Sequence, residues 1–166
     1  MQRLGIIVPS SNTTVETEFA TILYGSNITL HTARMQLNKV TAQELTTMEK
    51  KATTAAKQLK DAQVNAVVYA CTSGSLLKGI GHDADISKKL TKNAKCPAVV
   101  TATAVVDALE KLHTQKLALV TPYIEEINKL EIDFLQANGF EVVKVRSLNL
   151  KDNLKIGKLT PKDAAN

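Results

Sequence analysis

The chain has 166 residues, 44% hydrophobic and 22% charged, which allows a sizeable core and is ordinary for a soluble globular protein. No apolar run approaches the ~18 residues of a membrane span, no basic stretch precedes a long apolar one as in a secretory signal, and two cysteines make no disulfide framework, so no membrane partner and a cytoplasmic setting are expected. The net charge of +5 is carried by scattered lysines, and three Tyr, three Phe and no Trp leave little for base stacking; nucleic acid is not an expected partner, and the charge mildly favours an anionic substrate.

Leu4 to Val8 reads as the first strand, and Pro9-Ser10-Ser11-Asn12 as a turn. Thr13-Thr14-Val15-Glu16 has capping-box spacing, and Val15, Phe19 and Ile22 share one helical face behind it. The strand therefore leads through a polar turn to a helix start, whose free N–H groups suit a carboxylate or phosphate; Asn12 can cap that helix or meet a ligand. Ile28 to Met35 is the second strand. His31 within it reads as a hydrogen-bonded structural residue, and Arg34 at its end serves a surface ion pair or a substrate carboxylate. Thr41 to Glu44 is a second capping box, opening one helix that carries Leu45, Met48, Ala52, Ala55 and Leu59 and ends near Asp61.

Val67 to Ala70 is a short continuous apolar run, the pattern of a central parallel strand covered on both faces. It ends on Cys71, and Thr72-Ser73-Gly74-Ser75 breaks the run and frees backbone N–H groups. Open α/β sheets place their ligand crevice at such a turn. A thiol over those donors would have its thiolate stabilised and its pKa lowered; a buried cysteine serving as a small apolar side chain is the alternative.

Leu76 to Gly81 reads as a loop, with neither dinucleotide-fingerprint nor P-loop spacing. Asp83 can cap a short helix carrying Ile86 and Leu90. Cys96, followed by Pro97, reads as a structural strand-edge residue ahead of the fourth strand, Ala98 to Val100. A helix follows with Val105, Ala108, Leu109 and Leu112 inward. Lys116 to Val120 is the fifth strand. Thr121-Pro122-Tyr123 reads as a cap with proline at the first helical position, followed by a buried face of Ile124, Ile127, Leu130 and Phe134. Phe140 to Val145 is the sixth strand. Lys151 to Leu154 is a polar turn in which Asn153 can be an ordinary turn residue. Thr160-Pro161-Lys162-Asp163 has the look of a helix start, so the chain reads either as a fragment or as ending in a disordered tail. The histidines and cysteines show no metal-ligand spacing, and neither metal nor nucleotide cofactor is expected.

Four stretches together resemble the maleate cis-trans isomerase family of the aspartate/glutamate racemase superfamily. They are Val8 to Glu16, Tyr69 to Ser75, Thr121 to Tyr123, and Asp152 to Gly157, in matching order over essentially the whole chain. The resemblance implies parallel-sheet, Rossmann-like α/β lobes facing each other across a cleft. The first lobe, with the Cys71 motif, takes 1–96, and a partial second lobe takes 97–166. It implies cofactor-independent conversion of maleate to fumarate, with Cys71 as nucleophile and Asn12, Tyr123 and Asn153 in contact with a small dicarboxylate; the backbone around Thr72 and Ser73 would hold its carboxylates. A homodimer is also implied. The family's second cysteine lies on a later strand, beyond Asn166, and Cys96 is not its counterpart. A cysteine-dependent racemase of an acidic amino acid and a non-catalytic dianion-binding protein are therefore the other readings, and activity of the 166-residue chain itself stays open.

Overall fold

A computed structural model describes residues 1–165. Six strands are all parallel to their neighbours: β1 (Gln2–Pro9), β2 (Ile28–Met35), β3 (Ala66–Tyr69) and β4 (Ala98–Val100) form one sheet in the order β2-β1-β3-β4, and β5 (Lys116–Thr121) pairs with β6 (Glu141–Ser147) in a second. The α/β class expected from the sequence is the one observed. β4 pairs with β3, so the four-stranded sheet includes a strand that follows Cys96. Among the described residues the short β4 pairs with β3 alone, and Thr101, at the start of the helix after it, donates to the Tyr69 carbonyl at the end of β3.

β1 is the central strand, and its last five residues, Ile6 to Pro9 preceded by Gly5, are buried. At Gly5 the packing is close: a Cβ would lie 3.0 Å from the Leu59 side chain and 3.1 Å from that of Val64. Leu59 belongs to α3 (Ala52–Asp61), which packs on β1 and β2 and against α5 (His82–Ala94). Their apolar faces close the main core, with Ile7, Met35, Leu45, Met48, Ala56, Val67, Tyr69 and Leu90 all buried. This burial is the main source of stability, since each large apolar side chain contributes about 1.5–3 kcal/mol.

Several local expectations are revised. The helix over Thr41 to Asp61 is two helices, α2 (Ala42–Glu49) and α3, broken at Lys50-Lys51; at the end of α2, Met48 lies against Gly74 of α4 (Thr72–Ser75) and Glu49 meets Lys78 and His82. In α2 the Thr41 hydroxyl accepts from the Glu44 N–H at 3.4 Å, but Glu44 reaches the Asn38 and Lys39 N–H groups instead of closing the box. Asp83 does not cap α5, whose N-cap is Gly81 in the left-handed region; Asp83 accepts from Thr103 at 2.6 Å. In α6 (Thr101–Lys111) only Ala102 is buried, while Val105 and the following Leu112 are exposed, because the helix meets the sheet through its first turn. In β3, Val67 and Tyr69 are buried but Val68 is half-open; its face looks into a cavity and not onto a covering helix. The Thr160 expectation resolves into a short exposed helix, α9 (Pro161–Ala165), held by Thr160 donating to Asp163; Asn166 lies outside the described residues. None of the described helices is long and apolar enough to cross a membrane.

Candidate active site

The first wall of the site is the turn after β1. Ser10 N–H donates to the Met35 carbonyl at 2.6 Å, and the Ser10 hydroxyl accepts from the Leu37 N–H at 3.0 Å. Asn12 Oδ1 accepts from the N–H groups of Thr14 and Val15 at 2.9 and 3.0 Å. Asn12 is thus the residue that opens α1 (Val15–Ile22), in place of the Thr13 capping box, and Thr14 makes no side-chain cap. With its oxygen engaged, Asn12 has only its Nδ2 donor left for a ligand. Arg34 locks the same turn from behind, donating to the Ser10 and Asn12 carbonyls at 2.7 and 3.1 Å and pairing with Glu16. That settles its two sequence readings in favour of the ion pair.

The second wall is the end of β3. Cys71 occupies the N-cap position of the four-residue α4, with extended backbone. The Ser75 N–H donates to the Cys71 carbonyl at 3.1 Å, and the Ser75 hydroxyl accepts from the Ala102 N–H at 3.2 Å, tying the turn to α6. Thr101 donates to the Tyr69 carbonyl at 2.7 Å. The Cys71 Sγ lies 3.9 Å from the Ser73 hydroxyl, and the Gly74 N–H is directed at it.

Burial pushes the Cys71 thiol up, and the pull of the Gly74 N–H and the Ser73 hydroxyl only partly offsets this. The expected lowering is therefore corrected: in this chain desolvation of the sulfur outweighs the donors around it. Cys96 is also a free thiol, half-buried and pushed up by desolvation alone, in keeping with a structural residue.

The third wall comes from the second sheet. Pro122 does not start a helix: α7 (Glu125–Ala137) begins three residues later with Ile124 as its N-cap. A polar set, with Thr121 and Asn128 buried, shapes the intervening turn. Thr121 donates to Asn128, whose Nδ2 donates to the Tyr123 carbonyl at 3.2 Å; Ser147 donates to that same carbonyl. The Tyr123 phenol is directed to the Ser73 and Thr72 hydroxyls, and burial, with Glu131 and Cys71 nearby, pushes its pKa well up.

Asp152 caps α8 (Asn153–Ile156), accepting from the Leu154 and Lys155 N–H groups. Lys39 and Asp152 form an antiparallel bridge, and the Val40 N–H donates to the Lys151 carbonyl at 2.7 Å, so the segment after β2 meets the segment before α8 beside the site. Asn153 is not an idle turn residue. Its N–H donates to the Asn38 carbonyl at 3.1 Å and its side chain to Ser11 at 2.8 Å.

These walls enclose a cavity of about 350 Å³, large enough for a small metabolite, and Asn12, Cys71, Thr72, Ser73, Tyr123 and Asn153 all line it. Val15, Phe19, Val68, Val99 and Ile156 supply apolar surface, and no Lys, Arg or His is among the described lining residues. Ile22, by contrast, is 76% exposed and takes no part. Thr101 and Ala104 line the cavity without having been singled out by sequence. Glu131 was also missed. Its carboxyl is buried, one oxygen has no hydrogen-bond partner among the described residues, and burial pushes it up to about 7. A signal existed: Glu131 interrupts the apolar stripe of α7 four residues after Ile127.

The arrangement offers a sulfur nucleophile, several N–H and O–H donors and a partly apolar floor, a set suited to a small unsaturated or activated carboxylate. A family model described as arylmalonate decarboxylase matches residues 4–166. The maleate isomerase of Pseudomonas putida is 33% identical over 97% of this chain and 69% of its own length, and that of Geobacillus stearothermophilus is 33% identical over 96% of this chain and 68% of its own. Among solved structures, a Nocardia farcinica maleate cis-trans isomerase, a cysteine-to-serine mutant with a covalently bound succinylcysteine intermediate, superposes with a TM-score of 0.94 at 28% identity, covering 99% of this chain and 71% of that one. A cysteine-to-alanine variant of the Pseudomonas putida S16 maleate isomerase with maleate gives 0.92 at 31%, covering 98% and 69%.

Proposed function

The chain belongs to the maleate isomerases, within the reach of the arylmalonate decarboxylase family model, and from that membership we propose that its cavity binds maleate and that Cys71 isomerises it to fumarate without a cofactor. The observation that carries this reading is that Cys71 lines one cavity together with Asn12, Thr72, Ser73, Tyr123 and Asn153. Its chemical counterpart is the succinylcysteine seen in the Nocardia farcinica relative.

The Cys71 thiolate adds to one alkene carbon. A C–S bond forms, the π pair passes to the neighbouring carbon, and a proton delivered there completes a succinyl thioether. The former double bond is now single and turns freely. Loss of that proton restores the alkene and expels the thiolate, giving fumarate with no net change in atoms or charge. The backbone N–H groups of Thr72 and Ser73 hold one carboxylate during the transient build-up of negative charge, while the Gly74 N–H stays on the sulfur, and the Nδ2 groups of Asn12 and Asn153 serve the other carboxylate. Tyr123, kept protonated by its burial, donates its phenolic hydrogen. Because burial raises the Cys71 pKa, the thiolate fraction grows toward alkaline pH. A homodimer in the cytoplasm completes the reading.

The test is intact-mass and peptide analysis after incubation with maleate. We expect a maleate adduct on the tryptic peptide ending at Lys78, lost in Cys71→Ser. Exchange of the aspartate α-proton with solvent, without an adduct, would instead identify a racemase. Maleate binding that yields no adduct and is unchanged by Cys71→Ser would identify a dianion-binding protein.

A further inference from the structure

We propose that Tyr69 supplies the hydrogen-bond donor for the Cys71 thiolate, from the side of the sulfur that faces away from the cavity. The proposal rests on the reading of Cys71 as a thiolate nucleophile. Tyr69 and Cys71 are two residues apart at the end of one strand, so their side chains leave the same face. Tyr69 is fully buried, and its phenolic oxygen has no hydrogen-bond partner among the described residues. A buried hydroxyl without a partner is costly, and an apolar residue would fill the site without that cost.

Gly74 shows where the missing partner is. The position its Cβ would occupy lies 3.0 Å from Cys71 Sγ and 3.1 Å from the Tyr69 oxygen. The two atoms border one small gap, and the glycine keeps that gap open. While the thiol is protonated it is a weak acceptor and does not draw the phenol in. A thiolate is a strong acceptor, and a charge-assisted bond to a phenol is about twice as strong as a neutral one.

The other groups around the pair are consistent with this role. Behind Tyr69 stands Glu49, paired with Lys78 at 3.1 Å and lying 3.2 Å from His82. In front of Cys71 stands Tyr123, backed by Glu131. Burial and the two nearby anionic groups, Cys71 and Glu49, push the Tyr69 phenol far above its usual range. It therefore stays in its donor form wherever the thiolate exists.

The experiment is the rate of iodoacetamide alkylation against pH. Cys71 and Cys96 are read separately on the tryptic peptides ending at Lys78 and Lys111. Tyr69→Phe should move the Cys71 midpoint upward by about one pH unit, leave Cys96 unmoved, and leave the thermal midpoint at pH 6 equal or higher. Replacing Tyr69 with 3-fluorotyrosine, a more acidic donor of nearly the same size, should move the Cys71 midpoint downward; this arm decides the matter if Tyr69→Phe does not fold. An unchanged or lower midpoint in Tyr69→Phe, or an unmoved one with fluorotyrosine, overturns the proposal. Because the readout is thiol ionisation, a chain that forms no maleate adduct but shows both shifts refutes the isomerase reading and keeps this one.

Discussion

The side-chain amide of Asn153 donates to the Ser11 hydroxyl at 2.8 Å across 142 positions of sequence, and Ser11 passes the contact on to the Leu37 carbonyl. One relay thus joins the start of α8 to the turn after β1, where a ligand would be enclosed. Asn153→Ala should cost only about 1 kcal/mol of stability, the usual loss for one hydrogen bond. It should weaken maleate binding at least about tenfold, because a wall and a donor go together. Calorimetric titration checks this; a change below twofold would make Asn153 part of the scaffold alone.

Gly74→Ala places a methyl group 3.0 Å from Cys71 Sγ and 3.1 Å from both Met48 Cε and the Tyr69 oxygen. All three neighbours are buried, so none yields easily. Overpacking of this kind costs about 1–3 kcal/mol. We expect a thermal midpoint lower by several degrees and slower alkylation of Cys71, with the Cys96 rate unaltered.

Arg34 and Glu16 are each more than a third exposed, and a surface ion pair alone contributes little. The two bonds from Arg34 to the Ser10 and Asn12 carbonyls matter more. Arg34→Lys keeps the charge but cannot span both carbonyls and the carboxylate. It should lower denaturant stability by less than about 1 kcal/mol and weaken maleate binding several-fold, and Glu16→Gln should do less of both.

Glu131 gives a pH dependence of stability with a definite sign. Burial raises its folded-state pKa to about 7 from 4.5, so the folded chain binds more protons between those values. Its contribution is present below pH 4.5 and is lost as pH rises through 7. Glu131→Gln should therefore raise the unfolding free energy at pH 8, by an amount on the order of 2–3 kcal/mol, and with it the thermal midpoint, and leave both almost unchanged at pH 4. Melts of both chains across that range provide the check.

The sheet architecture was legible because β1, β3, β4 and β5 are apolar-rich runs between turn signals, alternating with helical patterns as a parallel α/β fold requires. The cavity-lining residues were legible for a different reason: Asn12, Cys71, Thr72, Ser73, Tyr123 and Asn153 all sit at carboxyl ends of strands or at helix starts, where the chain exposes its donors. Burial was not legible. The donors around Cys71 can be read from sequence, whereas the desolvation that outweighs them is set by what distant elements pack around the turn, with Met48 against Gly74 and Tyr123 beside Thr72 and Ser73. The outward face of α6 was misread because helical periodicity finds an apolar stripe without identifying what covers it. The break at Lys50-Lys51 carries no proline or glycine to announce it.

The absence of Lys, Arg and His from the described lining of the cavity bears on how ionic strength would act. Where a dianion is held by amide and hydroxyl dipoles at close range, mobile counter-ions have little to screen, since the Debye length at physiological salt is about 8 Å. Affinity should then change little between dilute and concentrated buffer. Selectivity would come from the spacing and bend of the two carboxylates, so that a monoanion of the same outline would forfeit a whole set of contacts at once.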